Sequence, residues 1–226
     1  MDRKIILTED GSHSISVPEL NVTYHSIHGA IQESQHVFIQ AGLLDSHILE
    51  YTGVHSILEI GFGTGLNALL SFTEAEKHQN RIYYTALEPF PLDEATVNML
   101  NYCDQLNRPD YQPRFQKMHD CGWEEMFEIS QYFRLTKHKC TLNDFSGDSE
   151  SFNIIYFDAF APAAQPELWT KDAFEKLYQL LTPEGILVTY CSKGDVRRAM
   201  QAVGFTVEKI PGPKGKREMV KAVRSR

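Results

Sequence analysis

The stretch "SILEIGFGTGLN", Ser56 to Asn67, decides the fold class. An apolar run leads into Gly61, Gly63 and Gly65, and a second apolar run follows. A buried strand, a glycine turn and a helix in this order are typical of the first βα unit of an open α/β sheet. Glycine permits positive φ angles and lets a ligand approach the backbone, and a helix N-terminus offers N–H groups to that ligand. The stretch therefore predicts a binding site for a nucleotide-like ligand.

The spacing of the glycines indicates which ligand. The dinucleotide fingerprint Gly-x-Gly-x-x-Gly needs its third glycine at position 66, where this chain has Leu66. The third glycine is Gly65 instead, and Glu59 precedes the first glycine by two residues. Glu-x-Gly-x-Gly-x-Gly is the pattern we associate with S-adenosylmethionine (SAM) enzymes. The spacing favours SAM over a pyridine dinucleotide, and the remaining alternative is a tight turn that binds no ligand.

Length and composition predict one globular domain with an appendage. The 226 residues fit one domain with an appendage, which we divide into an N-terminal extension of strands plus a helix, 1–50, and a core domain, 51–226. No apolar run approaches the roughly 20 residues of a membrane span, and the N-terminus lacks a signal-peptide core. The four cysteines are widely spaced without a C-x-x-C pair, which argues against a zinc site or disulfides. We expect a cytoplasmic protein without a metal site.

Charge is distributed unevenly along the chain. The net charge is −8, but residues 193–226 contain ten Lys/Arg and three acids, so this end carries +7 and the remainder −15. Such asymmetry indicates a local anion-binding surface. Five of the basic residues follow predicted strands of the sheet: Lys193, Arg197, Arg198, Lys216 and Arg217. They suit the phosphates of an RNA backbone, and the alternative is a charged edge that deters sheet-to-sheet pairing.

The order of elements predicts a mostly parallel sheet with helices on both faces. Strands are predicted in 4–24 and over 55–60, 81–88, 133–145, 152–162 and 184–192, with two more around a Pro/Gly turn at the C-terminus. Helices are predicted over 29–41, 66–77, 91–100 and 166–181 and in "GDVRRAMQAVG", whereas 104–132 has no clear pattern. We expect a Rossmann-like α/β fold with an antiparallel C-terminal edge.

Ligands of such sheets bind beyond the carboxyl ends of the strands, where the chain places several acids. Glu88 ends the second predicted strand of the core and suits two ribose hydroxyls, because a carboxylate only accepts hydrogen bonds. Asp144 ends the third and would accept from an adenine amino group, while Phe145 packs on the ring. Loop chemistry is an equally good explanation of the Asp144 region.

Asp158 ends the most apolar strand, in "FDAFAP". A carboxylate there would orient a nucleophilic nitrogen of the substrate or take its proton, and Phe160 and Pro162 would line the slot beside it. The methyl group of SAM is already activated by the sulfonium, so the protein needs only to align an unprotonated acceptor. Neither a metal nor a covalent nucleophile is required.

Five stretches together resemble a known family. They are "YHSIHGAIQESQHVFIQAGL", "ILEIGFGTGLN", "FDAFAPAAQPELWT", "LVTYCSKGDVRRAMQAVGF" and "PGPKGKREM". They are similar to the methyltransferase half of the bifunctional tRNA 5-methylaminomethyl-2-thiouridine biosynthesis enzyme, over most of residues 20–223. The resemblance implies a Rossmann-like SAM-dependent methyltransferase. Its activity would be N-methylation of the aminomethyl group of 5-aminomethyl-(2-thio)uridine at the wobble position of tRNA.

The resemblance also implies roles for individual residues. The SAM loop would comprise Gly61, Phe62, Gly63, Gly65, Leu66 and Asn67. Glu88 would bind ribose, Asp158 would sit at the methyl-transfer centre, and Tyr24 and Glu33 would close over the cofactor. The five basic residues would face tRNA. Where the family often has Gly-Asp, this chain has Asn143-Asp144, which weakens the match at the adenine.

The bifunctional relatives carry a second, FAD-dependent oxidase domain that removes a carboxymethyl group before methylation. This sequence has no FAD-type Gly-x-Gly-x-x-Gly. We therefore expect a standalone methyltransferase that receives its aminomethyl substrate from another protein. The alternatives are a SAM-dependent N-methyltransferase of a small amine, a non-catalytic nucleotide-binding partner subunit, and an NAD-linked oxidoreductase, which Leu66 disfavours.

Overall fold

A computed structural model describes residues 2–49 and 53–225. The predicted boundary between 50 and 51 lies outside the described residues, so the division into extension and core stays a prediction. The strands are β1 (Lys4–Leu7), β2 (His13–Val17), β3 (Val22–Thr23), β4 (His55–Ile60), β5 (Ile82–Leu87), β6 (Met126–Ser130), β7 (Phe133–His138), β8 (Phe152–Phe157), β9 (Leu181–Thr189), β10 (Phe205–Pro211) and β11 (Glu218–Arg224). The α-helices are α1 (Ala30–Ser34), α2 (Ser46–Leu49), α3 (Leu66–His78), α4 (Glu94–Asn98), α5 (Tyr102–Gln105), α6 (Gln112–Asp120), α7 (Lys171–Leu180) and α8 (Gly194–Ala202).

One eight-stranded sheet forms the centre of the molecule, in the order β10-β11-β9-β8-β4-β5-β7-β6. The five neighbouring strands β9, β8, β4, β5 and β7 are parallel. At one edge β11 pairs antiparallel with both β9 and β10, and at the other edge β6 pairs antiparallel with β7. This confirms the Rossmann-like fold and its antiparallel C-terminal edge. The antiparallel strand β6 lies in the region that the sequence pattern left unassigned.

The central strands are buried because helices cover both faces of the sheet. Every residue of β8, "FNIIYF", is buried, which explains why all of them except Asn153 are apolar or aromatic. One apolar cluster packs under α3, with Leu69 and Phe72 at its centre, and the other packs under α7, with Phe174 and Leu177. Strand order reverses at β4, which pairs with β5 on one side and β8 on the other. The crevice beyond their carboxyl ends is where such folds bind ligands.

The N-terminal extension adds a small antiparallel sheet, β1-β2-β3, and a helix that packs on the core. This helix begins as α1 and continues as a π-helix over Gln35–Leu43, with Leu44 N–H donating to the Ile39 carbonyl at 2.8 Å. The predicted end of this helix at residue 41 is two residues too early, because Gly42 lies inside the π-helix. A Cβ at Gly42 would lie 3.1 Å from the Tyr156 ring and 3.2 Å from Val188, so this glycine serves the close approach of the helix to the sheet.

Two predicted element bounds are also wrong. Strand β7 ends at His138, six residues before Asp144, and a turn fills the interval. The helix expected over 91–100 is confined to α4, where the Asp93 side chain accepts from Thr96 N–H and caps its start. Of the helices in the described ranges, none has both the length and the apolar character that crossing a membrane requires.

Candidate S-adenosylmethionine site

The glycine loop after β4 has the backbone geometry that only glycine adopts readily. Gly61, Gly63 and Gly65 have φ angles of 94°, 50° and 72°. The N–H groups of Gly61 and Phe62 both donate to the Leu87 carbonyl, at 3.0 and 3.2 Å, which ties the loop to the end of β5. Gly65 is the N-cap of α3. The loop is therefore held rigidly where three strands end.

A cavity of about 400 Å³ opens at this point. Of the residues predicted for the site, nine line it: Tyr24, Gly61, Phe62, Gly63, Leu66, Asn67, Glu88, Asp158 and Phe160. A Cβ at Gly63 would lie 3.1 Å from the Tyr24 ring, so the loop and the N-terminal segment meet across the cavity with no room for a side chain. The carboxyl ends of β4, β5 and β8 thus supply one wall and the extension supplies the facing wall.

Glu88 presents a carboxylate to this cavity. Its two oxygens accept from Gly63 N–H at 2.9 Å and from Phe90 N–H at 2.8 Å. Burial raises the pKa of Glu88, and these two backbone donors act against that rise. Each oxygen keeps a second lone pair, so the group can still accept two hydroxyl donors. This arrangement suits the vicinal diol of a ribose.

Asn67 joins two buried carboxyl groups on the other side of the cavity. Its Nδ2 donates to Glu59 Oε1 at 2.9 Å and to Asp158 Oδ2 at 2.8 Å. Burial raises the pKa of Asp158 to about 7, with a further rise from Glu33, whereas the Asn67 hydrogen bond and Lys216 act to lower it. Burial also raises the pKa of Glu59 well above its usual value. Asp158 can therefore exchange a proton near neutral pH, at the wall of the cavity.

Comparisons with known proteins agree with this geometry. Residues 139–225 match the family model described as S-adenosyl-L-methionine-dependent methyltransferase. The structure is similar to MNMC2 from Aquifex aeolicus, with a TM-score of 0.78 and 23% identity over 98% of this chain and 69% of that one. The chain has the fold of a SAM-dependent methyltransferase. The resemblance stated from the sequence and the Rossmann-like fold that it implied are confirmed at this level.

Two further solved structures share the fold at greater distance. The CMeT domain of the citrinin polyketide synthase has a TM-score of 0.51 and 14% identity, over 91% of this chain and 53% of that one. Human methyltransferase-like protein 13 in complex with SAH has a TM-score of 0.50 and 14% identity, over 86% of this chain and 82% of that one. SAM is the cofactor named by the matched family model. The residues present fit it, since Gly61 and Gly63 line the cavity without side chains and Glu88 offers acceptors to the ribose.

Glu88→Gln is expected to weaken SAM binding about 10- to 100-fold. Hydrogen bonds to a charged acceptor contribute roughly 1.5–3 kcal/mol, and the amide replaces one acceptor oxygen by a donor that faces backbone N–H groups. Calorimetric titration with SAM measures the change. Glu94→Gln, an exposed acid on α4, is the matched control and should bind like the wild type. Equal affinity in both variants would mean that Glu88 does not hold the ribose.

Tyr24 and Phe160 line the cavity from two different parts of the chain and contact each other. Their rings meet edge to face at 5.2 Å. Phe160 is fixed at both backbone groups, because its N–H donates to Gln165 Oε1 at 2.8 Å and Trp169 Nε1 donates to its carbonyl at 2.8 Å. Arg3 anchors the extension to the opposite rim by donating to the carbonyls of Phe90 and Pro91. The wall that covers the cavity is thus tied to both sides of the core.

Behind the glycine loop lies a layer that sequence reasoning missed. Thr64 Oγ1 bonds with His25 Nε2 at 2.8 Å, and His119 Nε2 donates to the Thr64 carbonyl at 3.1 Å. Burial lowers the pKa of each histidine to about 4, so both rings are neutral at pH 7. The three residues come from distant parts of the chain, and no local pattern signals that they meet. They hold the loop in its ligand-ready conformation.

The structure places Asp144 and Phe145, the two residues predicted to bind adenine, outside the cavity lining. Because β7 ends early, Asp144 lies in a turn, where its Oδ2 accepts from Thr141 Oγ1 at 2.6 Å. Phe145 is buried and packs against His138 at 5.2 Å between ring centroids, so its ring lies outside the cavity lining. Leu142 and its neighbours line this side instead: Cys140, Thr141 and Asn143.

Several other predicted site residues lie outside the cavity lining: Glu33, Glu59, Gly65, Pro162, Lys193, Arg197, Arg198, Lys216 and Arg217. Glu59 is fully buried and accepts a hydrogen bond from Asn67. Gly65 packs against His119, 2.8 Å from where its Cβ would be. Glu33 and Lys216 pair with each other at 2.5 Å. No cluster of three or more His, Cys, Asp or Glu suited to a metal occurs among residues 2–49 and 53–225.

Proposed function

We propose that this chain N-methylates the aminomethyl group of 5-aminomethyl-(2-thio)uridine at the wobble position of tRNA. The methyl group would come from the sulfonium of SAM. The observation that carries the substrate assignment is the likeness to MNMC2, which spans 98% of the chain and so includes the N-terminal extension as well as the methyltransferase core. The sequence stretches that resemble the tRNA-modifying family come from both parts.

The residues around the cavity support transfer to a nitrogen. An aliphatic amine is protonated at neutral pH and must lose a proton before it attacks. Asp158 lies in the cavity with a pKa of about 7, which suits a group that orients the amine and accepts this proton. Asn67 holds one oxygen of Asp158, which leaves the other for the substrate. Tyr24 and Phe160 narrow the cavity and help exclude water during in-line attack.

The direction of the last strands supports an RNA surface beside the cavity. Strand β10 is antiparallel to β11, which is antiparallel to β9, so β10 runs parallel to β9. The turn over 212–217 therefore lies at the carboxyl edge of the sheet, next to the start of α8. Across the described ranges, the side chains of Lys193 and Arg217 have no ion pair or hydrogen bond, and both residues are exposed. These cations are suitable contacts for tRNA phosphates.

Replacing Lys193 and Arg217 together by Ala is expected to weaken tRNA binding and to lower its salt dependence. Each lost phosphate contact reduces the slope of log K against log salt by about 0.7–0.9. Binding titrations over a range of KCl measure both effects. Lys77→Ala is the matched control, because Lys77 lies in the last turn of α3, at the opposite edge of the sheet. An unchanged slope in the double variant would place the tRNA elsewhere.

The proposal is tested directly with tRNA that carries aminomethyl-uridine. Purified protein and SAM are added, and the nucleosides are analysed by mass spectrometry. The expected product is methylaminomethyl-uridine, and no product should form from tRNA with an unmodified wobble uridine. Methylation of small amines but not of tRNA would favour the small-amine alternative, and SAM binding without any transfer would favour a non-catalytic subunit.

We also propose that the reaction occurs in the cytoplasm and that a separate enzyme supplies the aminomethyl group.

A further inference from the structure

Glu33 and Lys216 form a largely buried ion pair next to the methyltransferase site. Their side chains, only 9% and 35% exposed, meet at 2.5 Å between Glu33 Oε1 and Lys216 Nζ. The second oxygen, Oε2, accepts from Ser26 N–H at 2.7 Å. Glu33 belongs to α1 in the extension, whereas Lys216 belongs to the turn between β10 and β11. The pair thus joins the two ends of the chain over the carboxyl edge of the sheet.

Lys216 also contacts Tyr190, which follows β9 and is hydrogen-bonded to the strand end that carries Asp158. Its Nζ lies 4.0 Å from the centre of the Tyr190 ring, which is a cation–π contact. The Tyr190 hydroxyl donates to the Ala159 carbonyl at 2.8 Å. Because Ala159 follows Asp158 directly, the ion pair and the reactive carboxylate are linked through one aromatic ring and one peptide unit.

Neighbouring contacts hold the same turn against the extension. Lys214 pairs with Glu9 at 2.9 Å, and His28 Nδ1 approaches the other oxygen of Glu9 at 2.9 Å. His36 Nε2 donates to the Pro211 carbonyl at 2.8 Å. With Lys216 committed to Glu33, these contacts explain why the turn is basic without requiring each lysine to meet a phosphate. Lys216 thus pairs within the protein, and its contact with tRNA stays a prediction.

We propose that Glu33 and Lys216 are a positioning pair for Asp158, whose mutual neutralisation sets the charge beside that carboxylate and whose contact fixes the extension over the site. This goes beyond the roles that the resemblance implied, which placed one residue on the cofactor and the other on tRNA. It rests on the proposed function only in taking Asp158 as the group that acts on the methyl acceptor.

The charged and titratable groups around Asp158 come from every element packed against it. They are Glu59 on β4, Tyr84 on β5, Glu33 on α1, Lys216 on the turn and Tyr190 after β9, while Asn67 on α3 supplies the hydrogen bond. After burial, the Glu33 charge is the largest influence that raises the pKa of Asp158, and Lys216 acts in the opposite direction. Loss of one partner should therefore shift the ionisation of Asp158 in the opposite sense to loss of the other.

The experiment compares the binding of SAM and of its demethylated product, SAH, across pH. SAM carries a sulfonium charge that SAH lacks, so the ratio of the two affinities reports the negative charge nearby. In the wild type the preference for SAM should rise as Asp158 ionises. Lys216→Met should move the midpoint of this rise up by about one pH unit, and Glu33→Gln should move it down. The double variant should return close to the wild-type midpoint, and Lys209→Met, on the same hairpin, should not move it.

The opposite signs separate a charge effect from a loss of structure. A pair that only held the fold together would weaken SAM and SAH binding equally and leave the midpoint unchanged. Unmoved midpoints, or shifts of the same sign in both single variants, would overturn the proposal. If Lys216→Met does not fold, Glu33→Gln and the double variant still decide the matter, because neither leaves a buried carboxylate unpaired. The assay needs no tRNA, so its outcome is independent of whether wild-type protein methylates tRNA.

Discussion

Asp158→Asn is expected to lower the rate of methyl transfer about 10²- to 10⁴-fold, the range typical of losing a positioned proton acceptor. The amide oxygen can still accept from Asn67, so the local geometry should change little, and SAM should lose only the part of its affinity that depends on the Asp158 charge. What is lost is the ability to take a proton from the amine. Single-turnover methylation of aminomethyl-uridine tRNA at saturating SAM measures the step itself, and calorimetry measures binding.

The pH dependence of the wild-type rate supplies a second check on Asp158. A base acts in its ionised form, so the rate should rise with pH and level off above the pKa of about 7. In Asp158→Asn the rate should be low and should no longer show this rise with pH. Asp148→Asn, in an exposed loop, is the control and should keep both. If Asp158→Asn retained the wild-type rate, the carboxylate would have no part in moving the proton.

The central part of this fold could be predicted from sequence because burial leaves a direct signature. Strands β4 and β8 are covered on both faces, so most of their residues are apolar. Gly61 follows β4 and Asp158 follows β8. Parallel strands place their carboxyl ends at one edge, which is why Glu88 and Asp158 were expected together although 70 positions separate them. Topology, rather than any local motif, brought these two residues into the same predicted site.

The region 104–132 could not be assigned because its elements are short and mostly exposed. Helix α6, "QPRFQKMHD", buries only Phe115 and Met118, too few positions to establish a helical period. The direction of the Phe145 side chain, which we predicted to pack on the adenine ring, could not be inferred from the sequence for a similar reason. Strand β7 alternates buried and exposed residues up to His138, and the turn that follows resets the alternation, so the direction of a side chain beyond it cannot be extrapolated.

The basic C-terminus shows the limit of counting charges. Net charge does not reveal which cations are neutralised, and the pairing partners Glu9 and Glu33 lie about 200 residues away in sequence. Lys214 and Lys216 therefore pair within the protein, although Lys214 is exposed, whereas Lys193 and Arg217 are exposed and have no ion pair among the described residues. The same holds for Arg3, which lines the cavity although no motif surrounds it. Such contacts are set by tertiary packing.

Gly61→Ala is expected to abolish measurable SAM binding and to lower the free energy of unfolding by about 2–5 kcal/mol. Gly61 has a φ angle of 94°, which costs an L-residue roughly 1–2 kcal/mol. Its Cβ would also stand 2.9 Å from the Asp158 carbonyl oxygen, a backbone atom that cannot move aside alone. Relief of this overlap, about 1–3 kcal/mol, must push apart the ends of β4 and β8.

That displacement would damage the site at two points at once. The Asp158 N–H donates to the Ile60 carbonyl at 3.1 Å, and Gly61 N–H donates to Leu87, so both the carboxylate and the loop would shift. Urea unfolding and calorimetry with SAH measure the two losses. Gly122→Ala is the matched control, because its Cβ would meet only the Phe127 ring, at an ordinary 3.4 Å. Wild-type SAH affinity in Gly61→Ala would show that the cofactor does not depend on the close approach of these two strand ends.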